Sequence, residues 1–302
     1  MPSPTPFFSV ILPTFNRGHL LEDTIRGVLT QEFTNFEFII IDDASTDNTQ
    51  EILRKLHDPR MLSIINPKNL ERSASRNLGI DCAKGQYICF CDSDDHWEKN
   101  HLSTLYKTIE TRPNAVFIST LCRYIENGKS TDELSWNQDH KAIESCRDLI
   151  FYNEPPPSSS CYKKLAAPDL RFNPGLTVNE DVDFFCRLVS KTDSLRSVCL
   201  VESVTVSFFI HNQNTRAQYN DFIARELSVK KQLVGRLNIS KRVAHEKLKF
   251  CRHRHVNSFK KKEPKKIIPW ASALVEYLVR YPKDKTNKSK VYDFLHKGLR
   301  IL

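Results

Sequence analysis

Short apolar runs alternate with segments of helical spacing over the first 120 residues of the chain. The helical segments repeat their apolar positions every three or four residues, whereas the runs between them are brief and rich in β-branched and aromatic residues. The predicted strands are Phe8–Leu12, Phe36–Ile41, Leu62–Ile65, Tyr87–Cys91 and Ala115–Thr120. The predicted helices are Leu20–Gln31, a segment from an Asp47 N-cap to about Leu56, Ser73–Ala83 and Lys99–Glu110. This alternation predicts an α/β fold with a mostly parallel central sheet that is covered on both faces.

The remainder of the chain is less regular and then becomes helical. Turn signals interrupt the stretch from 121 to 178, which is either a functional insertion or a connector. Glu180–Ser190 has helical spacing, and Leu195–Leu200 and Ser203–Ile210 are predicted to be closing strands. A helical pattern dominates from Asp221 onward. We therefore expect an α/β domain at 1–221 and a mainly helical C-terminal extension at 222–302.

Charge is distributed unevenly between these two parts. Residues 222–302 contain 22 Lys and Arg against 6 Asp and Glu, a net charge of +16, whereas the whole chain has a net charge of +9. The preceding part is therefore acidic overall. Such asymmetry indicates an anionic partner for the extension, for example a membrane surface, a nucleic acid or a polyanionic substrate, although a solvated helical surface explains it equally well.

Composition narrows the class of protein further. No apolar run approaches the roughly 20 residues that span a bilayer, and the N-terminus lacks the basic and apolar segments of a secretory signal. The nine cysteines form no CxxC pair and several lie in apolar segments, which is typical of core residues in a reducing compartment. These features predict a cytoplasmic globular protein without a disulfide framework.

Acidic residues follow two of the predicted strands. Tyr87–Cys91 is followed by Asp92, Asp94 and Asp95, and Phe36–Ile41 is followed by Asp42-Asp43. Crowded carboxylates at a strand end favour a divalent cation, although an acidic helix N-terminus would also suit the first cluster. A second acidic strand end favours a ligand crevice at the carboxyl edge of the sheet. The glycine-rich motifs of dinucleotide-binding folds and of P-loops are absent from the sequence.

Five motifs in register resemble those of family-2 glycosyltransferases with the GT-A fold. The resemblance covers about residues 7–215. The matching segments are Ser9–Asn16, Ile41–Asp47, Ala74–Ile80, Asp92–Asp95 and Asn179–Phe185. It implies a nucleotide-diphosphate sugar donor, most often a UDP-sugar, together with Mn²⁺ or Mg²⁺.

The same resemblance implies roles for individual residues. Phe15 would offer apolar surface to the base, Asp43 would accept a hydrogen bond from the base edge, and Arg76 would face the diphosphate, with Arg72 as a competitor. The implied donor-binding residues are Pro13, Thr14, Phe15, Arg17, Asp43, Arg72, Arg76 and Ser93. The implied metal-binding residues are Asp92, Asp94, Asp95 and His211, of which Asp95 would act either as a ligand or through a hydrogen bond behind the ligands.

The resemblance implies a catalytic role for the acidic pair at the start of the predicted helix Glu180–Ser190. Asp181 would be the base that deprotonates an acceptor hydroxyl, and Glu180 would bind hydroxyls of donor or acceptor. Asp183 is a competitor for the base, and the segment from Asn179 to Asp181 would alternatively be only a helix cap. The implied reaction is an inverting, metal-dependent hexosyl transfer by direct displacement.

The expected acceptor is a hydroxyl of a glycan or lipid-linked saccharide in surface polysaccharide synthesis, such as lipopolysaccharide or capsule. We expect the basic extension to contact an anionic membrane face from the cytoplasm, and we expect no nucleic-acid partner. Two alternatives use the same features differently. One is a metal-dependent sugar nucleotidyltransferase, and the other is a non-enzymatic protein that binds polyanions through its basic tail.

Overall fold

The computed structural model describes residues 5–126, 129–134, 143–192, 194–210, 222–249 and 251. The chain divides into two compact units, Met1–Ala244 and His245–Leu302, and nearly all described residues belong to the first. Within the part of the chain that is described, no helix is long and apolar enough to cross a bilayer.

One mixed sheet forms the centre of the first unit. Its strands are β1 (Phe8–Thr14), β2 (Phe36–Asp42), β3 (Met61–Ile65), β4 (Tyr87–Phe90), β5 (Asp95–Trp97), β6 (Phe117–Glu126), β7 (Lys129–Leu134), β8 (Ser160–Lys163) and β9 (Val198–Ile210). Their order is β3-β2-β1-β4-β8-β6-β9-β5, with β7 paired to β6. The half formed by β3, β2, β1 and β4 is parallel, as the alternating pattern predicted. The other half is mixed, because β8 runs antiparallel to both β4 and β6.

Helices cover both faces of the sheet. They are α1 (Gly18–Leu29), α2 (Thr49–Lys55), α3 (Glu71–Cys82), α4 (His101–Thr111), α5 (Cys146–Asn153), α6 (Glu180–Val189) and α7 (Phe222–Arg236), and residues 241–249 are also helical. Alternate residues of the parallel strands enter two separate cores. Ile11 and Ile39 pack with α3, α5 and α6, while Val10 and Phe38 pack with α1 and α4. Burial on both faces explains why these strands are continuously apolar in sequence.

The segment after Asp92–Asp95, here called the acidic turn, is not the helix start that one interpretation of the sequence offered. β5 intervenes between this turn and α4, which begins only at His101, and β5 pairs with β9. Asp92, Asp94 and Asp95 therefore do not form the N-terminus of a helix. The prediction of an Asp47 N-cap was also wrong by one residue, because Asn48 holds that position. Asp47 instead accepts hydrogen bonds from the backbone N–H groups of Gly18 and Thr49.

The middle of the chain contains more regular structure than its turn signals indicated. β6 continues to Glu126, and both α5 and β8 lie within the stretch expected to be irregular. The two predicted closing strands are one strand, β9, whose register against β6 shifts near Leu121. The exposed Glu202 interrupts the apolar pattern of β9 in sequence, and it lies at this register shift, between Val201, the partner of Thr120, and Val204, the partner of Leu121.

Helix α7 belongs to the first unit, because its Leu233 is buried in the core shared with α5 and α6. The compact unit therefore continues to Ala244, beyond the expected boundary at 221/222. The division of the chain into functional domains stays a prediction.

Close packing of α3 on β1 requires glycine at position 79. A Cβ atom on Gly79 would lie 2.3 Å from Cγ2 of Ile11. We expect Gly79→Ala to lower the free energy of unfolding by about 1–3 kcal/mol, because the helix must shift on a fully buried strand. Urea denaturation would measure the change.

Gly235→Ala is the matched control for this substitution. Gly235 is exposed in α7, and apart from the adjacent helix backbone no atom of the described residues lies within 4 Å of the place that a Cβ atom would take. Alanine is the better helix former, so this control should stabilise the protein by up to about 1 kcal/mol. Equal effects of the two substitutions would contradict the packing argument.

Candidate active site

The carboxyl ends of β1, β2 and β4 lie side by side at one edge of the sheet. Thr14 at the end of β1 is paired in register with Asp42 at the end of β2, and Ile11 is paired with Phe90 of β4. The segments that follow these strands therefore meet at one edge, where open α/β sheets bind ligands. This is the crevice that the two acidic strand ends predicted.

Arg76 of α3 connects this edge to α6. Its side chain is only 2% exposed. Nη2 donates to Asp92 Oδ1 over 2.6 Å, and Nη1 donates to Glu180 Oε1 over 3.0 Å. Burial by itself disfavours the charge, but the carboxylates of Asp92 and Glu180 outweigh that effect and raise the pKa of Arg76. Arg76 therefore stays charged and ties the strand end to the helix start.

Glu180 is held between two guanidinium groups. Besides Arg76, Arg72 Nε lies 2.7 Å from Glu180 Oε1, and Arg72 also donates to the carbonyl of Thr177 over 2.6 Å. The Glu180 side chain is buried. Its carboxylate therefore orders the start of α6 and the preceding loop, and both arginines predicted to bind donor converge on it.

Asp181 is partly exposed at the first turn of α6. Its Oδ1 accepts a hydrogen bond from the N–H of Val182 over 2.8 Å. Desolvation, reinforced by the negative charge of Glu180, raises the pKa of Asp181 to about 7, against the opposing influence of Arg76. A carboxylate with a pKa near neutrality is suited to accept a proton from a hydroxyl group.

Asp183 lies in a different environment. Its side chain is fully buried and pairs with Arg187, whose Nη2 is 2.9 Å from Oδ2, and with Arg236 of α7. The carboxylate thus anchors α7 to α6. These contacts leave the Asp183 carboxylate less accessible to a ligand than that of Asp181.

The three carboxylates of the acidic turn face different surroundings. Asp92 pairs with Arg76, and Asp94 Oδ2 lies 3.9 Å from Arg17 Nη2. Asp95 is buried, and its Oδ2 accepts a hydrogen bond from Ser158 Oγ. Burial, together with the charges of Asp94 and Asp92, raises the pKa of Asp95 well above its ordinary value. Asp95 therefore supports the turn from the interior.

The ends of β1 and β2 form the opposite side of the crevice. Asp43 Oδ1 accepts hydrogen bonds from Asn66 Nδ2 over 2.6 Å and from the N–H of Leu70 over 3.0 Å. Asn16 Oδ1 accepts from the N–H of Thr46 over 2.8 Å and so ties the two strand ends together. The loops on this side are therefore ordered by side-chain amides and a carboxylate.

The other predicted donor-binding residues differ in exposure. Phe15 is 42% exposed, which leaves its ring available to a ligand, and Pro13 is half-buried. Thr14 and Ser93 are buried, and the Ser93 carbonyl accepts a hydrogen bond from Thr24 Oγ1. His211 lies outside the described residues.

Residues with positive φ are concentrated around the crevice. Asn16 (φ 52°), Ala44 (φ 65°), Glu71 (φ 70°) and Asn179 (φ 54°) follow β1, follow β2, begin α3 and precede α6, respectively. Left-handed backbone is costly for residues other than glycine and is common where a site must be held in one shape. The strain therefore lies in the loops that place the candidate residues.

A family model decides the classification of the chain. The model described as Glycosyl transferase family 2 matches residues 9–163, about half of the chain, and this range includes β1, β2, α3 and the acidic turn. The chain belongs to glycosyl transferase family 2. The resemblance inferred from the five motifs is thereby confirmed.

Individual family members are similar over shorter stretches. The chain is 37% identical over 118 residues to UDP-Glc:alpha-D-GlcNAc-diphosphoundecaprenol beta-1,3-glucosyltransferase WfaP of Escherichia coli, covering 39% of this chain and 46% of WfaP. It is 32% identical over 179 residues to GalNAc(5)-diNAcBac-PP-undecaprenol beta-1,3-glucosyltransferase of Campylobacter jejuni, covering 58% of this chain and 57% of that protein. The chain thus spans about half the length of these relatives.

Solved structures of glycosyltransferases confirm the GT-A fold. The structure of TarS residues 1–349 of S. aureus in complex with UDP-GlcNAc matches with a TM-score of 0.64 at 18% identity, covering 86% of this chain and 76% of that chain. A mannosyltransferase of Pyrobaculum calidifontis in complex with GDP-Man and Mn²⁺ matches with a TM-score of 0.61 at 13% identity, covering 94% of this chain and 82% of that chain. At these identities the similarity concerns the fold.

The acidic turn of this family 2 member fits a divalent cation. Among the described residues, no group of three or more His, Cys, Asp or Glu side chains is arranged to hold a metal ion by itself. A magnesium-like ion that also binds substrate phosphates needs only one or two protein carboxylates, and Asp92 and Asp94 supply that number of oxygen-bearing groups. Both already pair with guanidinium groups, so a cation would enter a site that holds positive charge.

Sequence reasoning missed two residues that order the site. Ser158 is fully buried and contacts the acidic turn, yet it lies in the run Pro155–Ser160 that reads as a loop. Asn66 positions Asp43 and donates to Ser75 over 3.2 Å. Asn66 follows a predicted strand, as Asp43 and Asp92 do, and this shared placement was the available signal. No sequence pattern pointed to Ser158.

The central ion pairs make a first prediction for this site. Arg76→Met removes the cation between Asp92 and Glu180 and leaves buried negative charge poorly compensated. We expect a loss of about 3–5 kcal/mol in the free energy of unfolding, measured with urea. Arg26→Met is the matched control, because Arg26 pairs with Glu22 on an exposed helix face and should contribute little. Equal losses in the two variants would contradict the structural role of Arg76.

The raised pKa of Asp181 makes a second prediction, on stability. The folded protein retains this proton up to about pH 7, whereas the unfolded chain releases it near the ordinary value of 3.8. Ionising Asp181 therefore lowers stability progressively between about pH 4 and pH 7. Asp181→Asn should raise the unfolding midpoint relative to wild type at pH 8 and much less at pH 4.

Asp169→Asn serves as the control for charge removal, because Asp169 is exposed. Thermal unfolding of the three proteins at pH 4, 6 and 8 would show the difference. A stabilisation by Asp181→Asn that is the same at every pH would refute the raised pKa.

Proposed function

We propose that the chain is an inverting glycosyltransferase that moves a sugar from a nucleotide-diphosphate donor to a hydroxyl group of a saccharide acceptor. The observation that carries this proposal is that carboxylates from two different elements lie at one edge of the sheet. Asp92 and Asp94 stand at the end of β4, and Asp181, with its pKa near 7, stands at the start of α6. Arg76 links the end of β4 to the start of α6 by pairing with Asp92 and with Glu180.

Donor binding is assigned to the ends of β1 and β2. The exposed ring of Phe15 and the oriented carboxylate of Asp43 offer an apolar surface and a hydrogen-bond acceptor, which suit a nucleobase. We favour a UDP-sugar because the name of the relative WfaP specifies UDP-Glc as its donor.

The diphosphate is assigned to the acidic turn, with Asp92 and Asp94 as the residues that would hold Mn²⁺ or Mg²⁺. Charge that develops on the leaving nucleoside diphosphate would be neutralised by a cation bound there. The Mn²⁺ in the similar mannosyltransferase structure supports this assignment. Arg17 lies near Asp94 and would contact the same phosphates.

Proton removal from the acceptor is assigned to Asp181. Its carboxylate is partly exposed, whereas Glu180 is enclosed by Arg72 and Arg76 and Asp183 by Arg187 and Arg236. Of the three acidic side chains on this turn of α6, Asp181 is therefore the best placed to meet an acceptor hydroxyl. Glu180 positions the two arginines, and its binding of donor or acceptor hydroxyls, expected from sequence, stays a prediction.

The acceptor proposed is a lipid-linked saccharide at the cytoplasmic membrane face. The names of both relatives specify undecaprenol-linked saccharides, which supports this class. The net charge of +16 on residues 222–302 suits an anionic membrane surface and would allow peripheral association. Family membership disfavours the alternatives of a sugar nucleotidyltransferase and of a non-enzymatic polyanion-binding protein.

Donor turnover tests the proposal. Purified protein would be incubated with UDP-, GDP- and dTDP-sugars in the presence of Mn²⁺ or Mg²⁺, and the released nucleoside diphosphate would be measured. We expect release from a UDP-sugar that EDTA abolishes and that added Mn²⁺ restores. Absence of release with every donor and of any binding of UDP by calorimetry would overturn the assignment.

Asp181→Asn isolates the proposed base. We expect turnover to fall by about 10²- to 10⁴-fold, the usual contribution of a general base, while the affinity for UDP stays within twofold of wild type. Asp169→Asn should leave both quantities unchanged. Full turnover in Asp181→Asn would exclude this carboxylate as the base.

A further inference from the structure

Ser158 lies at the centre of the acidic turn without belonging to it. It is in the short 3₁₀ segment Pro157–Ser159 that leads into β8, and it is 0% exposed. Its Oγ accepts a hydrogen bond from the N–H of Asp92 over 2.9 Å and donates one to Oδ2 of Asp95. One hydroxyl thus connects the first and last residues of the turn.

The backbone of Ser158 makes a third connection. Its carbonyl accepts a hydrogen bond from Nε1 of the buried Trp97 over 2.9 Å, in the strand that follows the turn. The turn itself is closed by the N–H of Asp95, which donates to the carbonyl of Asp92 over 3.1 Å. Ser158 therefore fixes both where the turn begins and how it enters β5.

The hydrogen bonds of Ser158 oppose the repulsion between the carboxyl groups of the acidic turn. Asp92, Asp94 and Asp95 place three carboxyl groups within four residues, and their mutual repulsion favours other conformations of the turn. Ser158 holds Asp95 toward the interior. Asp92 and Asp94 are then left on the crevice side, where Arg76 and Arg17 lie.

We propose that Ser158 is a positioning residue that sets the geometry of Asp92 and Asp94 toward a divalent cation and the phosphates bound with it. This inference rests on the proposed function of the site. It predicts that removal of the Ser158 hydroxyl weakens only the binding that depends on the cation. The nucleobase side of the crevice is built by Asp43, Asn16 and Asn66, and none of the hydrogen bonds described for Ser158 reaches these residues. Residues behind metal ligands typically contribute about 10- to 100-fold to metal affinity.

Ser160 provides a matched control for its removal. Ser160 is also 0% exposed, and its Oγ makes two hydrogen bonds, to the carbonyl of Pro156 and to Oγ of Ser119. These bonds stay within the β6–β8 region and do not reach the acidic turn. Ser158→Ala and Ser160→Ala therefore remove equivalent hydroxyl groups two residues apart, and only the first should alter the turn.

Calorimetric titration of the full chain with UDP, with and without Mn²⁺, tests the proposal. In wild type we expect Mn²⁺ to strengthen UDP binding. Ser158→Ala should bind UDP without Mn²⁺ as wild type does but lose about 10- to 100-fold of the affinity in its presence. Ser160→Ala should keep both affinities, although thermal unfolding will show both variants to be destabilised.

Ser158→Cys provides a second variant should Ser158→Ala not fold. It nearly preserves the side-chain shape but substitutes a weak hydrogen-bond donor, so its Mn²⁺-dependent affinity should be lower than that of wild type. Wild-type affinity in the folded Ser158 variants, or an equal loss in Ser160→Ala, would overturn the positioning role. A wild-type protein that binds no UDP, or binds it without regard to Mn²⁺, would instead overturn the proposed function of the site.

Discussion

The buried guanidinium of Arg76 is the interaction on which the candidate site depends. It pairs with Asp92 beyond β4 and with Glu180 at the start of α6, two residues that are 88 positions apart in sequence. A buried charge is tolerated only when its partners surround it, so the strand end, α3 and the start of α6 must be assembled together. The close contact between Gly79 and Ile11 sets the distance of α3 from the sheet and hence the reach of Arg76.

Arginine side chains balance three of the carboxylates at the crevice, and Asp181 is not among those three. Asp92, Asp94 and Glu180 each have a guanidinium partner, whereas the hydrogen bond described for Asp181 comes from the backbone of its own helix. Loss of water, and then the negative charge of Glu180, raise the pKa of Asp181 and favour its protonated form. An arrangement that disfavours a charge in the resting protein reduces stability, and such local costs are typical of sites that perform chemistry.

Both halves of the sheet contribute segments to the crevice. The parallel half supplies the ends of β1, β2 and β4, and the mixed half supplies β8 and the segment in front of it. Because β8 runs antiparallel to β4, the residues that precede β8 lie beside the residues that follow β4. This antiparallel pairing places Ser158 against Asp92 and Asp95, although more than 60 residues separate Ser158 from each of them in sequence.

Sequence alone was sufficient for the family, the parallel half of the sheet and the acidic strand ends, because apolar runs between helical segments and local motifs carry that information. The pairing of β8, the single strand β9 and the start of α4 at His101 were not predictable, since they depend on partners distant in the chain. The same holds for individual side chains. Asp92, Asp95, Asp181 and Asp183 are the same residue type. Only their neighbours in three dimensions distinguish the partly exposed carboxylates of Asp92 and Asp181 from the buried carboxylates of Asp95 and Asp183. Burial and the position of arginine decide those differences, and both arise from contacts that no local pattern encodes.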